Sequence, residues 1–165
     1  MSPIQAMTES SRRGPYDELY TPAGAVSHLV PHLPRGRVIW ESAPGTGSLS
    51  DALRSHGFKV VAAQQDYFTW EPQEWDIQVT NPPFSKKAQW LQRANDLGKP
   101  WAILLPVTSL GSRACQVQLV GADILFLPKR IDFTGRRAPW FAVAWYTRDL
   151  RLPQQINFVD PRRVE

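Results

Sequence analysis

Short apolar runs alternate with amphipathic stretches along most of this chain. The apolar runs have the length and composition of buried strands, and they occupy residues 37–41, 59–63, 76–80, 101–105 and 124–127. The amphipathic stretches predict helices over residues 22–33, 48–56, 86–97 and 110–119. Thr21 is placed to cap the first helix, with Pro22 in its first turn, and Gly57 and Gly98 end the second and third.

The order of these elements predicts an α/β fold. Strands separated by helices indicate a mostly parallel sheet that is covered on both faces. Residues 131–133 and 141–147 flank a Gly-Arg-Arg turn and predict a terminal antiparallel hairpin. Only the thirteen residues 64–76 join the second and third strands, which is about the length of a helical crossover alone. We therefore expect this link to lack a full helix–strand–helix insertion, so that one edge of the sheet is truncated.

Composition narrows the class of protein. The chain has 165 residues, enough for one domain with a sizeable core. Its single cysteine excludes an internal disulfide, and its three histidines lack the spacing of a zinc motif, so we expect no metal. Without an apolar run near ~18 residues or a signal-peptide core, we expect a cytoplasmic protein that does not enter a membrane. We divide the chain into a flexible leader (1–15), a domain (16–149) and a polar, weakly structured tail (150–165).

The segment Asn81-Pro82-Pro83-Phe84 carries the most specific chemistry in the chain. Consecutive prolines cannot lie inside a helix or a central strand, so the segment predicts a rigid loop after the strand at 76–80. Open α/β sheets bind ligands beyond the carboxyl ends of their strands. The Asn81 side chain offers a carbonyl acceptor, and Phe84 offers a flat stacking face. The loop therefore predicts a site for a planar group that carries an exocyclic amino group.

A second candidate segment, Glu41 to Gly47, joins a predicted strand to a predicted helix. Gly45 and Gly47 allow the backbone to approach a ligand closely, and the start of the helix presents free N–H groups. This arrangement is typical of a nucleotide-like cofactor site, although two glycines alone are equally compatible with a plain tight turn. The proline loop follows at the same edge of the predicted sheet, which favours the cofactor site.

With these motifs, the chain resembles class I S-adenosylmethionine-dependent methyltransferases. It is most similar to the small phage-type amino methyltransferases that modify adenine N6 in DNA. Asn81 to Phe84 matches their catalytic (D/N/S)PP(Y/F) motif. Glu41 to Gly47 resembles their cofactor loop, written (D/E)PxxGxG, with Ser42 in place of the usual proline.

Three further segments carry the resemblance. Tyr20-Thr21-Pro22 resembles the segment that closes over the methionine end of the cofactor. Residues 130–133 and 138–141 resemble the terminal hairpin of these proteins. The matching features run from about residue 17 to residue 147, and they imply a Rossmann-like class I methyltransferase sheet with one edge truncated.

The resemblance implies S-adenosylmethionine as the cofactor. The family's motifs place ten residues of this chain at that cofactor: Tyr20, Thr21, Pro22, Glu41, Ala43, Gly45, Gly47, Gln64, Asp66 and Asn81. The family's acidic residue after the second strand, which holds the ribose hydroxyls, aligns with Gln64. An amide lacks the charge-assisted strength of a carboxylate. Asp66 either takes over this role or matches the acid that contacts the adenine amino group.

The resemblance also implies catalytic roles for Asn81, Pro82, Pro83 and Phe84. The Asn81 side-chain oxygen and the Pro82 carbonyl would each accept a proton of adenine N6. That arrangement favours a more nucleophilic nitrogen and stabilises the positive charge that develops during methyl transfer. Phe84 would stack on the base, which must be flipped out of a duplex.

Paired basic residues indicate a nucleic-acid partner. The formal net charge of +4 permits a polyanionic partner without requiring one. Lys86 and Lys87 follow the proline loop, and Arg136 and Arg137 lie in the predicted hairpin turn, so we expect both pairs to contact phosphate. Trp140, beside this turn, either stacks on a base or packs structurally. Three tryptophans in predicted strands are expected in the core, namely Trp40, Trp101 and Trp145.

Three functional interpretations stand at this point. The first is methylation of adenine N6 in DNA, with sequence specificity that is slight or borrowed from a protein partner, because no target-recognition domain is recognisable. The second is the same chemistry on another amino group, that of cytosine N4, RNA adenine or protein glutamine. The third is a catalytically silent protein that binds nucleic acid or a partner. Gln64 and the truncated edge favour the third, and the intact proline loop opposes it.

Overall fold

The computed structural model describes residues 21–131 and 141–158. The predicted leader, residues 1–15, lies outside this part of the chain. The described strands are β1 Val38–Glu41, β2 Lys59–Ala62, β3 Ile77–Thr80, β4 Trp101–Pro106, β5 Asp123–Phe126, β6 Val143–Arg148 and β7 Ile156–Phe158. The α-helices are α1 Ala23–Leu29, α2 Ser48–Ser55, α3 Lys87–Asp96 and α4 Arg113–Leu119. Short 3-10 segments occupy Val30–His32, Phe84–Lys86 and Val107–Gly111.

The strands form one sheet in the order β2-β1-β3-β4-β6-β5-β7. Neighbours are parallel except at β6, which runs antiparallel to both β4 and β5. From β1 the chain passes to β2 on one side and then returns to β3 on the other, so the strand order reverses between β1 and β3. The prediction of a mostly parallel α/β sheet with an antiparallel element is confirmed.

Helices cover both faces of the sheet, which explains the continuous apolar runs. On β4, Ala102 and Leu104 pack in one core with side chains of α1 and α2. Ile103 and Leu105 alternate with them and pack in the other core, with side chains of α3 and α4. All four side chains are fully buried, as expected for a central strand between two helical layers.

Aromatic side chains replace regular structure at the truncated edge. β2 is the last strand at this end of the sheet, and the described link 63–76 contains neither a helix nor a strand. Its residues Tyr67 and Trp75 instead pack against Trp40 of β1 and Trp90 of α3. The rings of Tyr67 and Trp90 are parallel, with centroids 3.8 Å apart. The predicted truncation is confirmed, and the aromatic cluster packs the link against β1 and α3. The three tryptophans expected in the core are each at most 1% exposed, namely Trp40, Trp101 and Trp145.

The predicted first helix, 22–33, is shorter in the structure. It begins at Ala23, and Pro22 is its N-cap in an extended conformation. The helix gives way at Leu29 to the 3-10 segment that contains Pro31, because proline lacks the N–H that would continue the α-helical pattern. The expected capping role of Thr21 is wrong, since no side chain caps this helix.

The C-terminal part contains the predicted antiparallel hairpin, in which the described partner of β6 is β5. β6 is antiparallel, as expected, and its partners are β5 on one side and β4 on the other. Of the predicted partner segment 131–133, Ile131 is described and lies outside any strand, and 132–140 fall outside the described residues.

The tail was expected to be weakly structured, but Ile156–Phe158 form β7 parallel to β5. The Asn157 side chain supports this pairing, since its Nδ2 donates to the Ile124 carbonyl at 3.3 Å. Such a short strand is stabilised by its neighbour rather than by its own sequence.

Candidate functional site

A cavity of about 190 Å³ opens where the strand order reverses. Its walls come from the segments that follow the carboxyl ends of β1, β2 and β3, which is the position where open α/β sheets bind ligands. The lining residues are Thr21, Glu41, Ser42, Ala43, Pro44, Gly45, Thr46, Ser48, Leu49, Gln64, Gln65, Tyr67, Asn81, Pro83 and Trp90. The cofactor loop and the proline loop, separated by about 35 residues in the sequence, thus share one cavity.

The turn that contains Gly45 and Gly47, called the glycine turn, follows β1 and lines the cavity. Gly45 and Gly47 have φ of 51° and 91°, a left-handed conformation that favours glycine. The Gly47 N–H donates to the Pro44 carbonyl at 2.7 Å and closes the turn. Of the predicted cofactor residues in this loop, Glu41, Ala43 and Gly45 line the cavity, whereas Gly47 is the N-cap of α2.

Glu41 is a fully buried carboxyl at the end of β1. Its Oε1 accepts two hydrogen bonds, from the Thr80 hydroxyl at 2.6 Å and from the Ala43 N–H at 2.9 Å. Its Oε2 is buried without a hydrogen-bond partner. Burial raises the pKa of Glu41 to about 8, and the two hydrogen bonds oppose this rise only in part.

The proline loop follows β3 directly, as predicted. Asn81 and Pro83 line the cavity, and Pro82 is buried behind them. The Asn81 Nδ2 donates to the Thr21 hydroxyl at 3.0 Å. Phe84 is half-buried at the start of the following 3-10 turn and packs edge-to-face on Phe141, with centroids 6.0 Å apart.

Gln64 and Asp66, which follow β2, have different surroundings. The Gln64 Nε2 donates to the Gly45 carbonyl at 2.7 Å, so this amide connects the segment after β2 to the glycine turn. A carboxylate could not make this bond, because it has no proton to donate. Asp66 is exposed, and its Oδ1 accepts from the Phe68 N–H at 2.9 Å. Gln64 lines the cavity, and Asp66 does not.

Sequence reasoning missed a buried polar network beneath the cavity. Gln78 of β3 is 1% exposed, and its Nε2 donates to the Ser42 hydroxyl at 2.7 Å. The Tyr67 hydroxyl donates to the Gln78 Oε1 at 3.3 Å, and burial raises the pKa of Tyr67 above its usual range. The signal available was a glutamine inside an apolar strand, since buried polar side chains require hydrogen-bond partners.

The predicted nucleic-acid contacts are described only in part. Lys86 is exposed, with its Nζ 5.8 Å from the centre of the Phe68 ring, and Lys87 begins α3. Neither lysine lines the cavity. Four predicted site residues lie outside the described part of the chain, namely Tyr20, Arg136, Arg137 and Trp140. Within residues 21–131 and 141–158, no group of three potential metal ligands comes together, and no helix is long and apolar enough to cross a membrane.

Known proteins offer only distant likenesses. No protein-family model matches the sequence, and no curated protein matches it significantly. A dimethyladenosine transferase from Plasmodium falciparum has a similar structure, with a TM-score of 0.47, 10% identity and coverage of 78% of this chain. A predicted O-methyltransferase from Agrobacterium tumefaciens, protein Atu636, has a TM-score of 0.43 and 13% identity, with 84% of each chain covered. The present chain spans 62% of the length of the dimethyladenosine transferase. The class of this chain, an α/β Rossmann-like sheet with an antiparallel strand, therefore rests on its own strand order.

Proposed function

We propose that this protein transfers a methyl group from S-adenosylmethionine to an exocyclic amino group, with adenine N6 in DNA as the favoured acceptor. The supporting observation is the shared cavity. Asn81 and Pro83 of the proline loop face the same space as the glycine turn that begins at Glu41. A loop suited to an amino group and a loop suited to a nucleotide-like cofactor thus meet at the strand-order reversal.

The residues at the cavity fit this cofactor. Buried polar atoms in proteins normally have a hydrogen-bond partner. Glu41 Oε2 is fully buried and has none, so this atom is available to a ligand. The left-handed glycines keep the turn free of side chains, and a Cβ at Gly45 would meet open space. S-adenosylmethionine supplies an electrophilic methyl group on a sulfonium. Glu41, Ala43, Gly45 and Gln64 would hold it.

Asn81 and Pro82 would prepare the acceptor nitrogen. The lone pair of an aromatic amino group is delocalised into its ring, so the nitrogen is a poor nucleophile. The Asn81 side-chain oxygen and the Pro82 carbonyl would accept its two protons and stabilise the positive charge that develops on it. Two prolines fix the backbone of this loop, which limits the cost of positioning these acceptors. Phe84, half-buried at the end of the loop, would provide the stacking surface.

A DNA acceptor is supported by the positive charge that follows the proline loop in the chain. Lys86 and Lys87 immediately follow the proline loop, where they can contact the phosphates that flank an extruded base. Flipping a base from a duplex costs a few kcal/mol, so single-stranded DNA would be the easier substrate. We propose that a protein partner supplies sequence specificity.

A catalytically silent binding protein is the second candidate, and the Gln64–Gly45 hydrogen bond favours it. That bond occupies the amide that aligns with the family's ribose-binding acid. Calorimetry with S-adenosylmethionine separates the two candidates, because the proposed enzyme must bind the cofactor and a silent protein need not.

The substrate class is tested by transfer of labelled methyl from S-adenosylmethionine to single-stranded DNA, duplex DNA and RNA, followed by nucleoside analysis. Label in N6-methyldeoxyadenosine supports the proposal. Label in N4-methyldeoxycytidine or in RNA N6-methyladenosine retains the chemistry and changes the acceptor. Cofactor binding without label in any polymer points to a protein substrate or to the catalytically silent protein.

A further inference from the structure

Only one oxygen of the Glu41 carboxyl has hydrogen-bond partners. Both donors that reach it, the Thr80 hydroxyl and the Ala43 N–H, contact the same oxygen, Oε1. Oε2 has no hydrogen-bond partner, although the residue is fully buried and lines the cavity. An ionised carboxylate left half-satisfied in a buried position is costly. The ligand-free protein therefore favours the neutral acid. Such an acid would carry its proton on Oε2, because Oε1 already accepts two hydrogen bonds.

We infer that Glu41 receives a cationic group of the ligand and that it changes from a neutral acid to a carboxylate as the ligand enters, releasing one proton to solvent. The inference rests on the proposed function, because S-adenosylmethionine carries two cations, an α-ammonium and a sulfonium. The step balances without any further reactant: the O–H bond of the acid breaks, the proton leaves, and the carboxylate pairs with the cation. A cation beside a carboxyl stabilises its ionised form, which offsets the cost of burial.

The electrostatic surroundings leave this role to Glu41. Burial is the dominant cause of its raised pKa, and no charged neighbour contributes. Among the described lining residues, Tyr67 is the other titratable group, and burial keeps it neutral. The surrounding elements carry other ionisable side chains, and none of them contributes to the Glu41 pKa. Asp51 and Arg54 on α2 pair with each other, and Arg93 on α3 lies over the Tyr67 ring. The others are His28 on α1 and Lys59 on β2.

Proton release makes cofactor affinity depend on pH. Below a carboxyl pKa of about 8, each lower pH unit leaves about tenfold less of the ionised form that binds the cation. The dissociation constant should therefore weaken as pH falls from 8 to 6. Glu41→Gln keeps an oxygen for Thr80 and Ala43 but cannot ionise. The variant should bind more weakly, and any remaining pH dependence should come from the ligand itself.

Calorimetry in two buffers of different ionisation enthalpy measures this proton directly. At pH 7, the wild-type protein should release about one proton more per bound S-adenosylmethionine than Glu41→Gln does. Equal proton counts in the two proteins would overturn the inference. S-adenosylhomocysteine, which keeps the ammonium and lacks the sulfonium, then identifies the cation. An excess proton retained with this ligand assigns the ammonium, and one lost with it assigns the sulfonium.

Infrared spectroscopy tests the same carboxyl without relying on the variant's affinity. At pH 7, the ligand-free wild type should show a protonated-carboxyl band that Glu41→Gln lacks, and S-adenosylmethionine should abolish it. If the band persists while the cofactor binds, or is absent from the ligand-free protein, the inference about Glu41 is overturned and the proposed function is not. A wild type that binds no S-adenosylmethionine refutes the proposed function, and this inference with it.

Discussion

The Thr21 hydroxyl accepts a hydrogen bond from Asn81 Nδ2 at 3.0 Å. The two residues are sixty positions apart in the sequence, and both line the cavity. Thr21 is 5% exposed, so water does not compete freely for this bond. The segment that leads into α1 is thereby connected to the proline loop, and the bond restrains the amide that we propose as the acceptor of the substrate's amino protons.

Removing this hydroxyl should impair catalysis more than cofactor binding. Thr21→Val keeps the shape of the side chain and loses the bond, which is worth about 1 kcal/mol. We expect kcat to fall by roughly fivefold, and Thr21→Ser to restore it. Ser27→Ala is a matched control, because that exposed hydroxyl bonds only within α1. A Thr21→Val enzyme with normal kcat would refute the positioning role.

Gln64→Glu should tighten the binding of S-adenosylmethionine. The substitution breaks the bond to the Gly45 carbonyl and supplies a carboxylate where the proposed ribose hydroxyls lie. Charge-assisted hydrogen bonds are roughly twice as strong as neutral ones, so we expect several-fold tighter binding by calorimetry. Gln65→Glu adds the same charge one residue later. An equal effect of both substitutions would show a general response to charge and contradict a ribose contact.

Stability should fall as pH rises through the range set by Glu41. Its pKa is 4.5 in the unfolded chain and about 8 in the folded protein, so between these values the folded state binds more protons. The stabilising effect is complete below pH 4.5 and declines up to pH 8. We expect the free energy of unfolding to drop by roughly 1–5 kcal/mol over this range. Urea unfolding of ligand-free protein at pH 5 and pH 8.5 measures the difference, and Glu41→Gln should reduce it. The same pH dependence in both proteins would assign the loss to other groups.

Lys86 and Lys87 should contribute to DNA affinity without affecting sequence preference. If each contacts one phosphate, Lys86→Ala and Lys87→Ala should each lower the slope of log affinity against log salt by about 1. Fluorescence anisotropy with single-stranded DNA at several salt concentrations gives this slope. Lys59→Ala removes an exposed cation at the far end of β2 and should leave it unchanged. Equal slopes for all four proteins would exclude these lysines from the interface.

The strands and loops that were predicted correctly are those that local sequence patterns determine. β1, β3 and β4 are apolar runs that are buried almost throughout, and β2 is an apolar run at the edge of the sheet that is only partly buried. Such runs follow from composition alone. The two loops at the cavity were predicted because Pro82 and Pro83 restrict the backbone locally and Gly45 and Gly47 free it. The shared cavity followed from a general property of parallel sheets, since loops after neighbouring strands meet at one edge.

What the sequence did not predict depends on partners distant in the chain. β6 inserts between β4 and β5, and neither partner can be read from the sequence of 143–148. β7 has three residues and depends on β5 for its stability. Thr21 looks like a helix cap, but its bond to Asn81 forms only once the sheet brings the two segments together. The raised pKa of Glu41 likewise arises from complete burial, which the sequence does not reveal.

The central claim is that Asn81 performs chemistry at a site where other residues hold the cofactor. Its most direct test measures Asn81→Ala for two properties side by side: calorimetric binding of S-adenosylmethionine, and transfer of labelled methyl to DNA with nucleoside analysis. We predict a dissociation constant close to that of the wild type and a rate of N6-methyladenine formation at least about 10²-fold lower, the usual cost of removing one polar group that stabilises a transition state. A variant that methylates adenine at the wild-type rate would contradict the account.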